Sequence, residues 1–323
     1  MAIKICGTGS YLPARLVTND DLSKIMDTSD EWIKSRTGIE SRHLATEETT
    51  TFMSVEAAKA ALENAAVKAE ELDLILAATI SPDYVIPTLS CEIQRELHAV
   101  NAVAFDIGAA CSGFLFALET AYAYIKSGLY KNVLILGAET LSKMMDWEDR
   151  STCVLFGDGA GAAVIRDIPG EGGILSLVQG SDGAKGMALA CAGRQTANPY
   201  AARKKENIPY VTMNGQEVYK FAVRTVPRAV SEAVDHAGLS MDEINLFVLH
   251  QANIRIIEAV AKRLNQPMKK FPSNLKKCGN ISAASVPILL DEINKSGSLK
   301  AGDKVVLAGF GAGLTWGACV LTW

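Results

Sequence analysis

Cys111, His250 and Asn280 stand far apart in the chain, yet their residue types can act together on a thioester. Cys111 lies in "DIGAACSGFLFAL" (106–118), after the short apolar run "VAF" (103–105), which reads as a buried strand. From Ser112 to Lys126, Phe114, Leu118, Ala121 and Ile125 recur at helical spacing. The thiol is therefore expected at a strand-to-helix turn. Unpaired N–H groups and the helix dipole there favour a thiolate nucleophile. A small buried cysteine that only fills space fits the same stretch. His250 closes "LFVLH", and the following "QAN" suits an exposed cleft better than a core histidine capping a strand. Asn280, in "CGNISAAS", reads either as an amide donor or as a turn residue at positive φ. In the catalytic reading the thiolate attacks a carbonyl. Imidazole and amide then donate hydrogen bonds to charge developing on a second oxygen.

A duplication supplies the elements that would bring the three together. "AAKAALENAAVKAEELDLILAAT" (57–79) lies over "AVSEAVDHAGLSMDEINLFVLHQ" (229–251) at an offset of 172 residues. The same offset places "KNVLILGAE" (131–139) over "DKVVLAGFG" (303–311), and Gly108–Cys111 over Asn280–Ala283. Each half reads helix, apolar strand, turn, helix, strand, small-residue turn, helix, strand. That order predicts an α/β fold with mainly parallel sheets covered by helices. The halves divide near "RDIPGEGG" (166–173), giving units 1–168 and 169–323. Related halves pack about a pseudo-twofold axis, which turns corresponding strand ends, and their ligand sites, toward each other.

The bulk numbers exclude several classes. The 323 residues carry a net charge of −4, which gives no pull toward nucleic acid or anionic lipid. No apolar run approaches a membrane span, and the strand-like N-terminus lacks a signal-peptide layout. Seven cysteines without a CxxC pair fit reduced thiols in a cytoplasm. The four histidines have no metal-ligand spacing with them, so no metal is expected. "FGDGAG" (156–161) lacks the Lys-Ser/Thr of a phosphate loop and reads as close backbone packing. "GFGAGLTWG" (309–317) reads as an anion-binding nest beside the thiol or as a tight turn.

Six segments in order, "DEWIKSRTGIESRH" (30–43), "DIGAACSGF", "RSTCVLFGDGAGAA" (150–163), "LHQANIRI" (249–256), "GNISAAS" (279–285) and "GFGAGLTWG", resemble β-ketoacyl-acyl-carrier-protein synthase III. The resemblance implies the thiolase fold, a duplicated α-β-α-β-α five-layer architecture, in a homodimer. It implies that a short acyl-CoA acylates Cys111 and that malonyl-acyl-carrier protein then decarboxylates and condenses, starting fatty-acid synthesis without a cofactor. His250 and Asn280 would stabilise the enolate. The backbone N–H groups of Cys111 and Ala312 would form the oxyanion hole; the family commonly has glycine at 312, but the N–H survives the change. Trp32 and Arg150 match a pair that sandwiches adenine. Arg36 and Thr37 would contact the phosphates or the adenine edge, Asn253 the pantetheine arm, and Phe156, Met213 and Phe310 would line the tunnel. Ile86 matches a residue that enters the partner's acyl pocket. Lys220, Arg255, Lys262 and Arg263 match the carrier-protein docking region, although basic residues on a helix also read as a solvated face.

Rival readings use the same residues. A starter-unit condensing enzyme of specialised polyketide or quinolone-type metabolism keeps the fold and changes the primer. A papain-like hydrolase also uses Cys, His and Asn, but the duplication and the HQAN and GNISAAS settings oppose it. A non-catalytic partner subunit is opposed by the intact Cys111, His250 and Asn280.

Overall fold

The structure is a computed structural model and describes residues 2–194, 196, 198–200 and 210–323. Strands β1 (Ala2–Tyr11), β2 (Leu74–Ala78), β3 (Val103–Ile107), β4 (Asn132–Thr140) and β5 (Asp158–Ile168) form one sheet in the order β1-β5-β4-β2-β3. Strands β6 (Gly173–Ser181), β7 (Leu246–Leu249), β8 (Lys304–Gly311) and β9 (Thr315–Thr322) form a second, in the order β7-β8-β9-β6. The helices that matter here are α1 (Asp30–Thr37), α2 (Thr50–Ala65), α3 (Leu89–Leu97), α4 (Gly113–Lys126), α5 (Gly215–His236), α6 (Ile254–Arg263) and α7 (Ser285–Lys295).

Three apolar clusters separate five layers. Ala57, Ala58 and Ala61 of α2 and Ile93 of α3 pack on the outer face of the first sheet. Phe114, Leu118 and Ile125 of α4, with Leu289 and Leu290 of α7, fill the space between the sheets. Val226 and Val230 of α5 and Ile257 and Val260 of α6 cover the outer face of the second. The expected α-β-α-β-α duplication is therefore present. The offset holds residue by residue at the turns: Ala110–Ser112 and Ser282–Ala284 are one-turn 3-10 helices that feed α4 and α7. Ala110 and Ser282 both take positive φ, 44° and 43°.

Three expectations change. The sheets are mixed, not mainly parallel. β2 runs parallel to β3 and β4, and β7 to β8, but β5 and β9 return antiparallel to β4 and β8. An antiparallel return needs no crossover helix: residues 312–314 join β8 to β9, and a longer loop, 141–157, joins β4 to β5. The second half also lacks a counterpart of β3. Its position holds the helical turn Leu275–Cys278, whose Lys276 and Lys277 replace apolar strand residues. Finally, β3 is not buried: it is the edge strand, paired only with β2, and Val103 is 48% exposed.

Glycines let the central turns touch the strands. A β-carbon on Gly137 of β4 would fall 2.1 Å from the Ala283 carbonyl oxygen. The "FGDGAG" run works similarly: a β-carbon on Gly157 would lie 2.5 Å from the Cys278 carbonyl oxygen. Gly137→Ala should lower the unfolding free energy by about 1–3 kcal/mol, the cost of overpacking a rigid contact. Denaturant melts of the variant check this.

Candidate active site

Cys111 sits in the turn between β3 and α4 and is buried. Two glycine strand positions hold it. A β-carbon on Gly311 would lie 2.7 Å from the Cys111 nitrogen, so only glycine lets the end of β8 reach the nucleophile turn. A β-carbon on Gly309 would lie 3.2 Å from His250 Cβ and 3.9 Å from the Cys111 oxygen, so both residues border one point of β8. The free-thiolate expectation does not hold. Burial pushes the Cys111 thiol up to about 12, outweighing the Ser282 hydroxyl, which lowers it.

His250 follows β7, and its N–H donates to the Ala308 oxygen at 2.8 Å. His250 and Gln251 are both buried rather than exposed. Gln251 finds partners inside, donating to the Leu249 oxygen and accepting from Ser273 Oγ. His250 Nδ1 lies 2.6 Å from Ser285 Oγ, and Phe310 meets the ring edge-to-face at 5.4 Å. The Gln251 N–H donates to that same Ser285 oxygen, which leaves the hydroxyl proton for Nδ1. Nδ1 then accepts, and Nε2 carries the proton. Burial lowers the imidazole to about 3, so the ring is neutral.

Asn280 is buried and its φ is not positive, so it is not the strained turn residue. Gly279 and Ser282 take that conformation instead. Asn280 is clamped on both sides, its N–H donating to the Leu155 oxygen and its oxygen accepting from the Gly157 N–H. The Ser282 N–H donates to Asn280 Oδ1 at 2.8 Å, leaving Nδ2 as the outward donor. The site thus holds a thiol beside two neutral N–H donors whose acceptor atoms are already engaged. Thioester chemistry needs that combination.

Residues 105–183 match the family described as 3-oxoacyl-[acyl-carrier-protein (ACP)] synthase III, and residues 234–323 match that family's C-terminal part. The chain is 49% identical over 322 residues to the beta-ketoacyl-[acyl-carrier-protein] synthase III of Clostridium acetobutylicum, covering 100% of this chain and 99% of the relative. The crystal structure of 3-oxoacyl-[acyl-carrier-protein] synthase III from Aquifex aeolicus superposes with a TM-score of 0.94 at 47% identity, covering 100% of both chains. The priming beta-ketosynthase of the R1128 polyketide biosynthetic pathway superposes with a TM-score of 0.93 at 37% identity, covering 99% and 96%. The chain belongs to the β-ketoacyl-acyl-carrier-protein synthase III family. It is a condensing enzyme of the acyltransferase type, and the synthase III reading is favoured over the polyketide one.

Trp32 of α1 carries the Arg36 guanidinium 4.6 Å and the Arg150 guanidinium 5.3 Å from its ring centre, so both cations pack on the indole itself. Arg150 also donates to the Asp27 backbone oxygen and pairs with its carboxylate. Asn253 caps α6 with Oδ1, and its Nδ2 donates to the Arg36 oxygen, leaving one amide hydrogen for a ligand. Phe156 and Phe310 are buried, and Met213 is half-buried. Ala312 follows Gly311 at the turn beside the Cys111 N–H.

Thr37 is buried, and its hydroxyl donates to the Ile33 oxygen and accepts from the Ile39 N–H, which closes the C-terminus of α1. Lys220, Arg255, Lys262 and Arg263 are all exposed. Arg255 donates to the Ser35 oxygen and Arg263 to the Val223 oxygen, which leaves Lys262 the cleaner probe of charge on α6. Ile86 is 83% exposed. Sequence reasoning missed Ser285, Ser282 and Glu139, which support the site from beneath.

A pKa near 3 keeps His250 neutral at ordinary pH, so malonyl decarboxylation should show no histidine inflection between about pH 5 and 9. Ser285→Ala should slow that step about five- to tenfold, the worth of one buried hydrogen bond. Carbon dioxide release across pH measures both.

Proposed function

We propose that the chain joins a short acyl-CoA primer to malonyl-acyl-carrier protein by decarboxylative Claisen condensation, the step that initiates fatty-acid synthesis. The observation that carries the role assignment is that His250 and Cys111 border one point of β8 while His250 Nδ1 and Asn280 Oδ1 are already engaged, which keeps Nε2–H and Nδ2 for an incoming oxygen. The primer's carbonyl carbon takes Sγ of Cys111. The N–H groups of Cys111 and Ala312 receive the tetrahedral oxyanion. CoA leaves, and malonyl-carrier protein enters. Loss of carbon dioxide places charge on its thioester oxygen, which His250 and Asn280 hold. The enolate carbon then attacks the acyl carbon and releases Cys111. No cofactor takes part in this scheme.

In this reading CoA adenine lodges at Trp32 and Arg150, with Arg36 at the phosphates and Asn253 at the pantetheine arm. Phe156, Met213 and Phe310 line the tunnel. The carrier protein docks against α6 through Lys262, with Lys220, Arg255 and Arg263 nearby. We assign residues 1–168 to a unit bearing the thiol and 169–323 to one bearing His250 and Asn280. The working form is a homodimer in the cytoplasm. The exposed edge of β3 and the apolar loop Tyr84, Val85 and Ile86 support pairing with a second copy. No described helix is long and apolar enough to cross a membrane. Ile86 then sets primer preference in the partner's pocket. Intact-mass measurement after incubation with a panel of acyl-CoAs tests acylation and primer range together.

Cys111→Ala should abolish acyl-enzyme formation and condensation. His250→Ala and Asn280→Ala should each lower decarboxylation on the order of a hundredfold or more while self-acylation survives better. Equal loss of both half-reactions would contradict the division of roles. Lys262→Glu should raise KM for malonyl-carrier protein and spare acylation by acyl-CoA. The difference should shrink at high salt, and steady-state kinetics at two ionic strengths check it.

A further inference from the structure

Acylation by a buried thiol requires a place for its proton, and the residues assigned above provide none. His250 is neutral, and its Nδ1 is engaged by Ser285. Under the nucleophile, however, lies a carboxyl with no assigned task. Glu139 ends β4 and is fully buried. Its Oε2 accepts from the Ile80 N–H at 3.1 Å, from Ser81 Oγ at 2.5 Å and from Thr79 Oγ1 at 3.3 Å. Its Oε1 makes no full hydrogen bond, and neither does the buried Ser282 Oγ.

The turn that carries Ser282 lies between Glu139 and Cys111. The 282–284 turn packs on β4 and on the nucleophile turn. The Ser282 hydroxyl acts on both Cys111 and Glu139. Two polar atoms without a partner in a dry interior call for an explanation. Ser282 is held there at positive φ by its N–H bond to Asn280 Oδ1.

We propose that Ser282 and Glu139 form a relay that takes the Cys111 proton during acylation and returns it during condensation. In the first half-reaction Sγ–H passes its proton to Ser282 Oγ while the Ser282 hydroxyl proton moves to Glu139 Oε1. The Sγ–acyl bond forms, the acyl–CoA thioester bond breaks, and CoA leaves as a thiolate that solvent protonates. In the second, the enolate carbon bonds to the acyl carbon and the bond to Sγ breaks. The stored proton then returns through Ser282 to Sγ. One solvent proton is consumed per cycle and ends on CoA, so no charge is stranded in the core.

Burial raises the Glu139 carboxyl to about 7, where it can exchange a proton near neutral pH. Its charge in turn raises the Cys111 thiol. The 79–81 loop and the 282–284 turn contribute hydroxyls and amides, and Lys143 farther along pairs with Asp83 at 3.5 Å.

The relay rests on Cys111 carrying the acyl group, and the test separates the two ideas. Single-turnover acylation by a short acyl-CoA and alkylation by iodoacetamide would be followed by intact mass from pH 5.5 to 9.5. In the unmodified enzyme both rates should rise through an inflection near 7, the Glu139 value. Glu139→Gln should remove the inflection and slow acylation about a hundredfold at neutral pH, the usual worth of a positioned base. Ser282→Ala should do the same with the carboxyl left in place, which decides the matter if the Gln variant fails to fold. Malonyl-thioester decarboxylation by either variant should stay within about threefold of the original, since neither oxygen faces the enolate. An inflection retained in a folded variant, or acylation and decarboxylation falling together, overturns the relay. Failure of Cys111→Ala to abolish acylation would instead overturn the nucleophile assignment.

Discussion

Two one-turn helices meet in the middle layer, and each presses on a strand position that must lack a side chain. Ala283 leans on Gly137, and the Cys111 N–H leans on Gly311. This contact at backbone distance ties the halves together and sets the spacing between nucleophile and donors. A chain bearing β-carbons at these positions would hold the turns apart by an atom's width, and the interior is too densely packed to absorb that shift elsewhere. Catalytic geometry and core packing are therefore the same contacts.

Duplication gives the site its frame, and divergence at equivalent positions gives it chemistry. At the offset of 172, Cys111 lies over Ala283, Ala78 over His250, Gly108 over Asn280 and Glu139 over Gly311. Each pair places one reactive group opposite a small or silent one. Two functional residues at equivalent points would compete for the same central volume. The arrangement thus follows from the close contact of the turns.

Burial gives the site its electrostatic character. The thiol is raised to about 12, the imidazole lowered to about 3 and the carboxyl raised to about 7, all chiefly by loss of water. The resting thiol and imidazole are neutral, and the donors stand ready for charge that appears only during reaction. Such preorganisation is worth more in a dry site than in water. The surface contrasts with it: the cations at Trp32 and on α6 are exposed, where water and salt screen them.

Much of this was legible in the sequence because it depends on near neighbours and on repetition. The spacing of Phe114, Leu118, Ala121 and Ile125 determined α4 and set Cys111 at its entrance. The offset between halves determined a pseudo-twofold frame, and the order of the six segments determined the family. Properties set by distant packing were not legible. Gln251 after His250 looked exposed and is buried, because Ser273 and Ser285, from elsewhere in the chain, satisfy it. The Thr37 hydroxyl closes its own helix, a contact its segment did not announce. "VAF" looked like an inner strand, but composition alone does not distinguish an edge strand from a central one. Glu139 closes "KNVLILGAE" and carried no signal of its own in the sequence. Only the fold buries it beneath the thiol, because the turn that covers it comes from the other half, more than a hundred residues away.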